Sequence, residues 1–196
     1  AGTQFDNMDY NYENTASNQN YKTNTNKLRS VDDELAFAGV HSSDIDDQNL
    51  DNYTYDEIGQ LISDKSKEIA NIEWSISGKV NRVTRTATST KPDLVFLYDA
   101  KRHRIMKSVI EKGGDVKNTY YVYDMSGKNV LAIYESNNGS APIEKEQYIY
   151  GAGRIGVLKP STEQNEHVVG SKEYEITDHL GDVRVEISDT QNTGKV

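Results

Sequence analysis

The chain has 196 residues, 35% of them apolar, and a formal net charge of −9. That acidic balance argues against an electrostatically driven nucleic-acid or anionic-membrane surface. With no cysteine there is no disulfide framework and no thiolate metal site, and no run approaches the roughly 20 apolar residues that span a bilayer.

Tyrosine is abundant at 13 residues, against 3 Phe and 1 Trp. A ring with a wet hydroxyl suits a half-buried sheet surface. No basic-then-apolar leader opens the chain. The start at Ala1-Gly2-Thr3 and the end at Gly194-Lys195-Val196 both read as cuts in a longer polypeptide.

Residues 1–52 form a polar, acidic region. Tyr10, Tyr12 and Tyr21 sit among Asn and Thr, which reads as loop or weak strand. From Asn26 an alternating pattern resumes, and Leu28 can share a face with Val31 only if a bulge intervenes. The acidic run beginning at Asp44 invites comparison with a calcium loop. An EF-hand needs Gly at its sixth position and Glu at its twelfth, where this run has Asn49 and Tyr55, so a solvated acidic loop is expected.

Residues 53–145 read as hairpin repeats. Tyr55-Asp56-Glu57-Ile58-Gly59-Gln60-Leu61 pairs an aromatic strand end with a turn. Asp at the first turn position accepts backbone amides, and Gly at the fourth takes the left-handed conformation that closes a hairpin. Asp124 and Gly127, after Tyr123, repeat it, as do Asp178 and Gly181 further on. After Trp74, Ser75 and Gly78 form a variant in which Ser supplies the acceptor. After Tyr98 and Asp99 the unit recurs more loosely, with Arg102 where Gly is expected, which weakens the same turn there. Lys112-Gly113-Gly114-Asp115 is a further tight turn, and Asn138-Gly139-Ser140 reads as a turn rather than a glycosylation site.

Residues 146–196 continue with Tyr148, Tyr150 and Tyr174. Val183, Val185 and Ile187 alternate with Arg184, Glu186 and Ser188, as in a half-buried strand. Tyr55, Trp74, Tyr98, Tyr123, Tyr150 and Tyr174 mark a repeat recurring roughly every 25 residues, one strand–turn–strand unit each. The expected fold is all-β, antiparallel hairpins laid side by side in a curved or spiralling sheet. No helix-period stretch with caps competes.

These residues resemble the YD-repeat, or Rhs, family. The resemblance rests on Tyr55-Asp56-x-x-Gly59-x-Leu61, on Tyr98-Asp99 with Arg104-Ile105, and on Tyr123-Asp124-x-x-Gly127. It extends to Tyr150-Gly151-x-x-Arg154-Ile155-Gly156 and to Tyr174 through Arg184, which look like the start of the Rhs repeat-associated core. Ile72-Glu73-Trp74 with Gly78-Lys79-Val80 looks like the version seen in Bacteroidetes proteins. The resemblance implies a β-ribbon spiralling into a hollow shell. It implies a secreted or cell-surface bacterial protein whose partners are the rest of its own polypeptide and an enclosed C-terminal toxin or other cargo. The family's core ends in paired Asp-Pro-x-Gly motifs for self-cleavage, and no Asp-Pro pair occurs in these 196 residues.

Chemistry-bearing patterns are few. Asp178-His179 could act as an acid–base pair, but the repeated turn explains Asp178 without catalysis. His41, His103, His167 and His179 lie apart, without metal-ligand spacing. Gly151-Ala152-Gly153-Arg154-Ile155-Gly156 matches a dinucleotide motif by letter but lacks the βαβ context, so a hairpin is expected. The expectation is a non-enzymatic structural segment with no cofactor, no metal, no nucleic acid and no membrane insertion. The alternative is an extracellular adhesion or glycan-binding module, or a surface-machine component without toxin, that meets secretion proteins, cell-surface proteins or glycans.

Overall fold

A computed structural model describes residues 8–14, 24–33, 48–161, 170–178 and 180–189. Among the described residues the regular elements are all strands, paired antiparallel, as the hairpin pattern predicts. The chain divides into two units, Ala1–Asp93 and Leu94–Val196.

The first unit opens with a ribbon of β1 (Met8–Asn14) and β2 (Asn24–Asp33). Tyr12 faces Leu28 while Asn11 faces Ser30, so Arg29 is the extra residue of a bulge between Leu28 and Val31. Asn11 Nδ2 donates to Ser30 Oγ at 3.2 Å and to Asp32 at 2.7 Å. Next come β3 (Tyr53–Tyr55), β4 (Leu61–Asp64), β5 (Ile69–Trp74) and β6 (Val80–Arg85), each hydrogen-bonded to the next. Gln48 ties β2 to the start of this meander, its backbone N–H donating to Val31 O and its side-chain oxygen accepting from Val31 N, both at 3.1 Å.

The second unit is a longer meander. Its strands are β7 (Asp93–Tyr98, whose first residue closes the first unit), β8 (Arg104–Ile110), β9 (Val116–Tyr123), β10 (Val130–Asn137), β11 (Ile143–Tyr150), β12 (Arg154–Lys159), β13 (Ser171–Thr177) and β14 (Val183–Asp189). Sequential order is what short connections impose, because one of three to six residues, as between most of these strands, can only deliver the next strand alongside the last.

Little apolar surface is withdrawn from water. Val31, Ile72 and Ala132 are the buried apolar side chains among the described residues, and Ser30, Asn52, Asp64, Ser89, Ser108 and Ser136 are buried polar ones. The polar groups satisfy one another. Ser108 Oγ donates to Asn118 Oδ1 at 2.6 Å, and Asn118 Nδ2 donates to Ser136 Oγ at 3.4 Å, a rung-by-rung ladder across β8, β9 and β10. Backbone pairing and such ladders therefore contribute much of the specificity usually carried by a packed core. The terminal strand departs from expectation. Its alternation suggested one buried face, yet every residue of β14 is exposed.

One feature recurs beyond the turns. In five hairpins the return strand carries one extra residue just after its first position: Ile62, Asn81, Leu131, Ile155 and Arg184. A bulge bends its strand and increases the local right-handed twist. Repetition at one place gives successive hairpins the same local deformation.

Candidate functional site

The predicted site residues gather along the turn ends of the β3/β4 and β5/β6 hairpins in the first unit. In the second unit they gather at β7/β8, β9/β10, β11/β12 and β13/β14. In each unit these ends are called the aromatic rim. Asp56 N–H donates to Gln60 O at 2.9 Å, and Gly59 N–H to Asp56 O at 3.1 Å. Asp178 and Gly181 repeat both bonds, at 2.9 and 3.1 Å, and Ser75 and Gly78 repeat them at 2.8 and 3.0 Å. Gly59, Gly78, Gly127 and Gly181 all have positive φ, between 75° and 89°. The acceptor role of the first turn residue is equally regular. Asp56 Oδ1 accepts from Ile58 N and Gln60 N, and Asp178 Oδ1 from Leu180 N and Asp182 N.

Arg102 replaces the glycine without losing the turn. The looser copy after Tyr98 forms the same two bonds, between Asp99, Arg102 and His103, at 2.9 and 3.0 Å. Arg102 adopts φ 71°. Pairing of the flanking strands and the grip of Asp99 Oδ1 on His103 N (2.8 Å) override a local preference of about 1–2 kcal/mol.

At Asp124 the turn is wider, with its N–H donating to Asn129 O at 2.9 Å. Its carboxylate takes Ser126 Oγ at 2.7 Å, Lys128 N at 3.1 Å and Asn129 Nδ2 at 2.8 Å. The Ser126 hydroxyl, followed by the other donors, holds the carboxyl down to about 2. Gly127 is buried beneath the His103 ring of the neighbouring hairpin, and a Cβ there would lie 2.3 Å from His103 Cε1. The same ring lies 5.2 Å from the Tyr123 ring and bonds Asp99 Oδ2 through Nδ1 at 2.9 Å, so that hydrogen bond is the first cause of the lowered Asp99 pKa.

The aromatics have a role that spacing alone did not reveal. Trp74 Nε1 donates to Leu61 O at 2.8 Å, Tyr123 OH to Arg104 O at 3.1 Å and Tyr150 OH to Val130 O at 2.8 Å. In each case the residue before a turn fastens to the first carbonyl of the previous hairpin's return strand. Burial raises the Tyr123 and Tyr150 hydroxyls, which keeps them protonated and donating. Tyr55 is raised by burial too, opposed by a hydrogen bond with the Leu28 backbone. Tyr98 takes the same place before its turn. The signal was available in composition: the latch needs a ring with a donor at its tip, and Tyr or Trp, never Phe, stands at these positions. Tyr174 stands apart from this set. It lies within β13 opposite Ile187, and Thr177 occupies the place before the turn.

The remaining candidates resolve locally. Gly151 N–H donates to Gly153 O at 2.8 Å between β11 and β12, a hairpin with no helix after it. Asn138 and Gly139, at φ 50° and 76°, form the expected turn. Asp178 Oδ2 accepts from Arg184 Nε at 2.8 Å, and that bond is the first cause of its lowered pKa. His41, His167, His179 and residues 44–47 of the acidic run lie outside the described residues. No group of three or more metal-ligating side chains occurs among the described residues.

A cavity of about 200 Å³ lies in the first unit, lined by Lys27, Arg29, Asp51, Tyr53, Thr54 and Tyr55. Its polar groups are engaged with the protein. Arg29 pairs with Asp51, Lys27 Nζ donates to Asp56 O at 3.3 Å, and Gln48 Nε2 donates to Tyr53 OH at 3.2 Å. No protein-family model matches the chain, and no curated protein matches it.

Proposed function

We propose that this chain is a non-enzymatic wall segment of a secreted or surface bacterial protein of the YD-repeat kind, its hairpins enclosing a C-terminal cargo domain. The observation that carries this reading is the repetition of three devices in one unit. A turn closes each of these hairpins, a bulge bends five of them, and a Tyr or Trp latch fastens three of them to their predecessors. Such a unit adds laterally without limit and needs little core, since each copy draws stability from its neighbours. Curvature repeated in one sense is what a sheet needs to wrap around a space.

Electron cryomicroscopy of the whole secreted polypeptide tests this. The expected result is a β-shell containing these hairpins, with density inside it. Hairpins that enclose nothing would refute it.

The first-unit cavity favours a second reading, a glycan-binding surface module, because two tyrosines and a charged pair line it. Glycan-array binding lost on Tyr53→Ala would select that reading over the shell.

A further inference from the structure

We propose that the aromatic rim of the second unit docks on an anionic phospholipid surface. Hairpin tips are ordinarily polar, yet here Met125 is 100% exposed and Leu180 73% exposed. At the other ends of these strands the described turns carry Lys112-Gly113-Gly114 and Asn138-Gly139-Ser140 at their tips, and the exposed apolar side chain there, Ile143 at 63%, belongs to the start of β11 rather than to a tip. One hairpin, β11/β12, lies between those of Met125 and Leu180, so the two tips are four strands apart, roughly 20 Å at ordinary strand spacing.

Charge on this rim is sorted by exposure. The carboxylates of Asp99, Asp124 and Asp178 are held by amides and side chains of their own turns. Lys101, Arg102 and Lys128 are exposed beside Met125, and Lys101 Nζ reaches Met125 O at 3.3 Å. Asp182 is the exception, exposed and 3.9 Å from Arg184. Although the chain as a whole carries −9, the exposed charges beside these tips are mostly cationic, Lys101, Arg102 and Lys128 against Asp182. Protruding apolar tips flanked by lysine and arginine match a bilayer interface, where the tips enter the acyl boundary and the cations meet phosphate. This inference is independent of whether the hairpins enclose cargo.

Cosedimentation of the whole chain with vesicles provides the test. One set is three parts phosphatidylcholine to one part phosphatidylserine, and the other is phosphatidylcholine alone. Binding is expected to the first set, weakening as salt rises. Met125→Asp with Leu180→Asp, and separately Lys101→Glu with Lys128→Glu, should each reduce it about tenfold or more. Lys145→Glu, on exposed β11 surface away from this rim, should leave it within about twofold. Circular dichroism verifies that each variant is folded. No binding to the anionic vesicles, equal binding to neutral ones, or undiminished binding of both rim variants would overturn the proposal. The first of these outcomes would leave the tips to a protein partner.

Discussion

The two ends of the second-unit strands solve the same problem differently. On the aromatic rim each turn is closed by its own first residue, and the lock to the neighbouring hairpin is a ring with a donor tip. On the opposite, polar rim the turns are laced to one another. Asn138 Nδ2 donates to Asp115 Oδ1 at 3.0 Å, and Asn138 Oδ1 accepts from Val116 N at 2.7 Å. The first unit has a polar rim of the same character. Asn52 Oδ1 accepts from Ser66 N at 2.7 Å, and the Ser89 hydroxyl bonds Glu68. A polar lace needs only short side chains and backbone. A ring latch also covers the strand ends and buries part of the ring, which frees the tip residues from any role in closing the sheet. Met125 stands exposed on a hairpin latched in this way, whereas Leu180 stands exposed on one where Thr177 takes the latch position.

The comparison breaks most readily at glycine. Gly127→Ala places a side chain at φ 75° and against His103, and should cost about 2–3 kcal/mol in urea unfolding. Gly139→Ala on the polar rim, at φ 76° but with open space around it, should cost about 1–2 kcal/mol. In a His103→Ala background the two costs should converge; a persistent gap would refute the contact with His103.

Next in size are the locks themselves. Tyr150→Phe keeps the ring and removes the bond to Val130 O, with an expected loss of about 1 kcal/mol. Asn138→Ala removes two bonds and the residue type that best tolerates φ 50°, for about 1–2 kcal/mol. Hydrogen exchange should show each loss confined to its own rim, and exchange that spreads evenly across both rims would contradict separate locking.

Arg102→Gly should stabilise slightly, by about 0.5 kcal/mol. Relief of the left-handed strain outweighs the extra entropy of glycine in the unfolded chain. A lower denaturation midpoint for this variant would mean that the arginine side chain contributes more than its backbone costs.

The smallest effect is one of pH. Asp124 has a folded pKa of about 2, below its ordinary 3.8, so the unfolded chain binds the proton more tightly. Its contribution is complete above the ordinary value and disappears as pH falls through about 2. Asp99 and Asp178 shift in the same direction. An NMR titration of the Asp124 carboxyl that gave an ordinary midpoint would remove the premise.

Much of this architecture was legible in the residues. Asp56 with Gly59, Asp124 with Gly127 and Asp178 with Gly181 announced their turns, because a four-residue loop is decided by side-chain acceptors and left-handed φ within the loop itself. The turn at Arg102 was less legible, since Tyr98-Asp99 suggested it while strand pairing imposed a conformation that the arginine disfavours. The bulges at Ile62, Asn81, Leu131, Ile155 and Arg184 were not legible either. These five residues share no side-chain type, and a bulge is a property of two strands in register. The latches were half legible: the residue type was visible, but the carbonyl it meets lies about 13–20 positions earlier in the chain.

Turn chemistry, strand alternation and the repeat were determined by sequence alone, because each depends on contacts within a few residues. Which rim is locked by rings, which by amides, and which tips are left bare to solvent was decided by tertiary structure. Those outcomes depend on pairs such as Tyr150 with Val130, His103 with Gly127 and Asn138 with Asp115, which meet only when one hairpin lies against another.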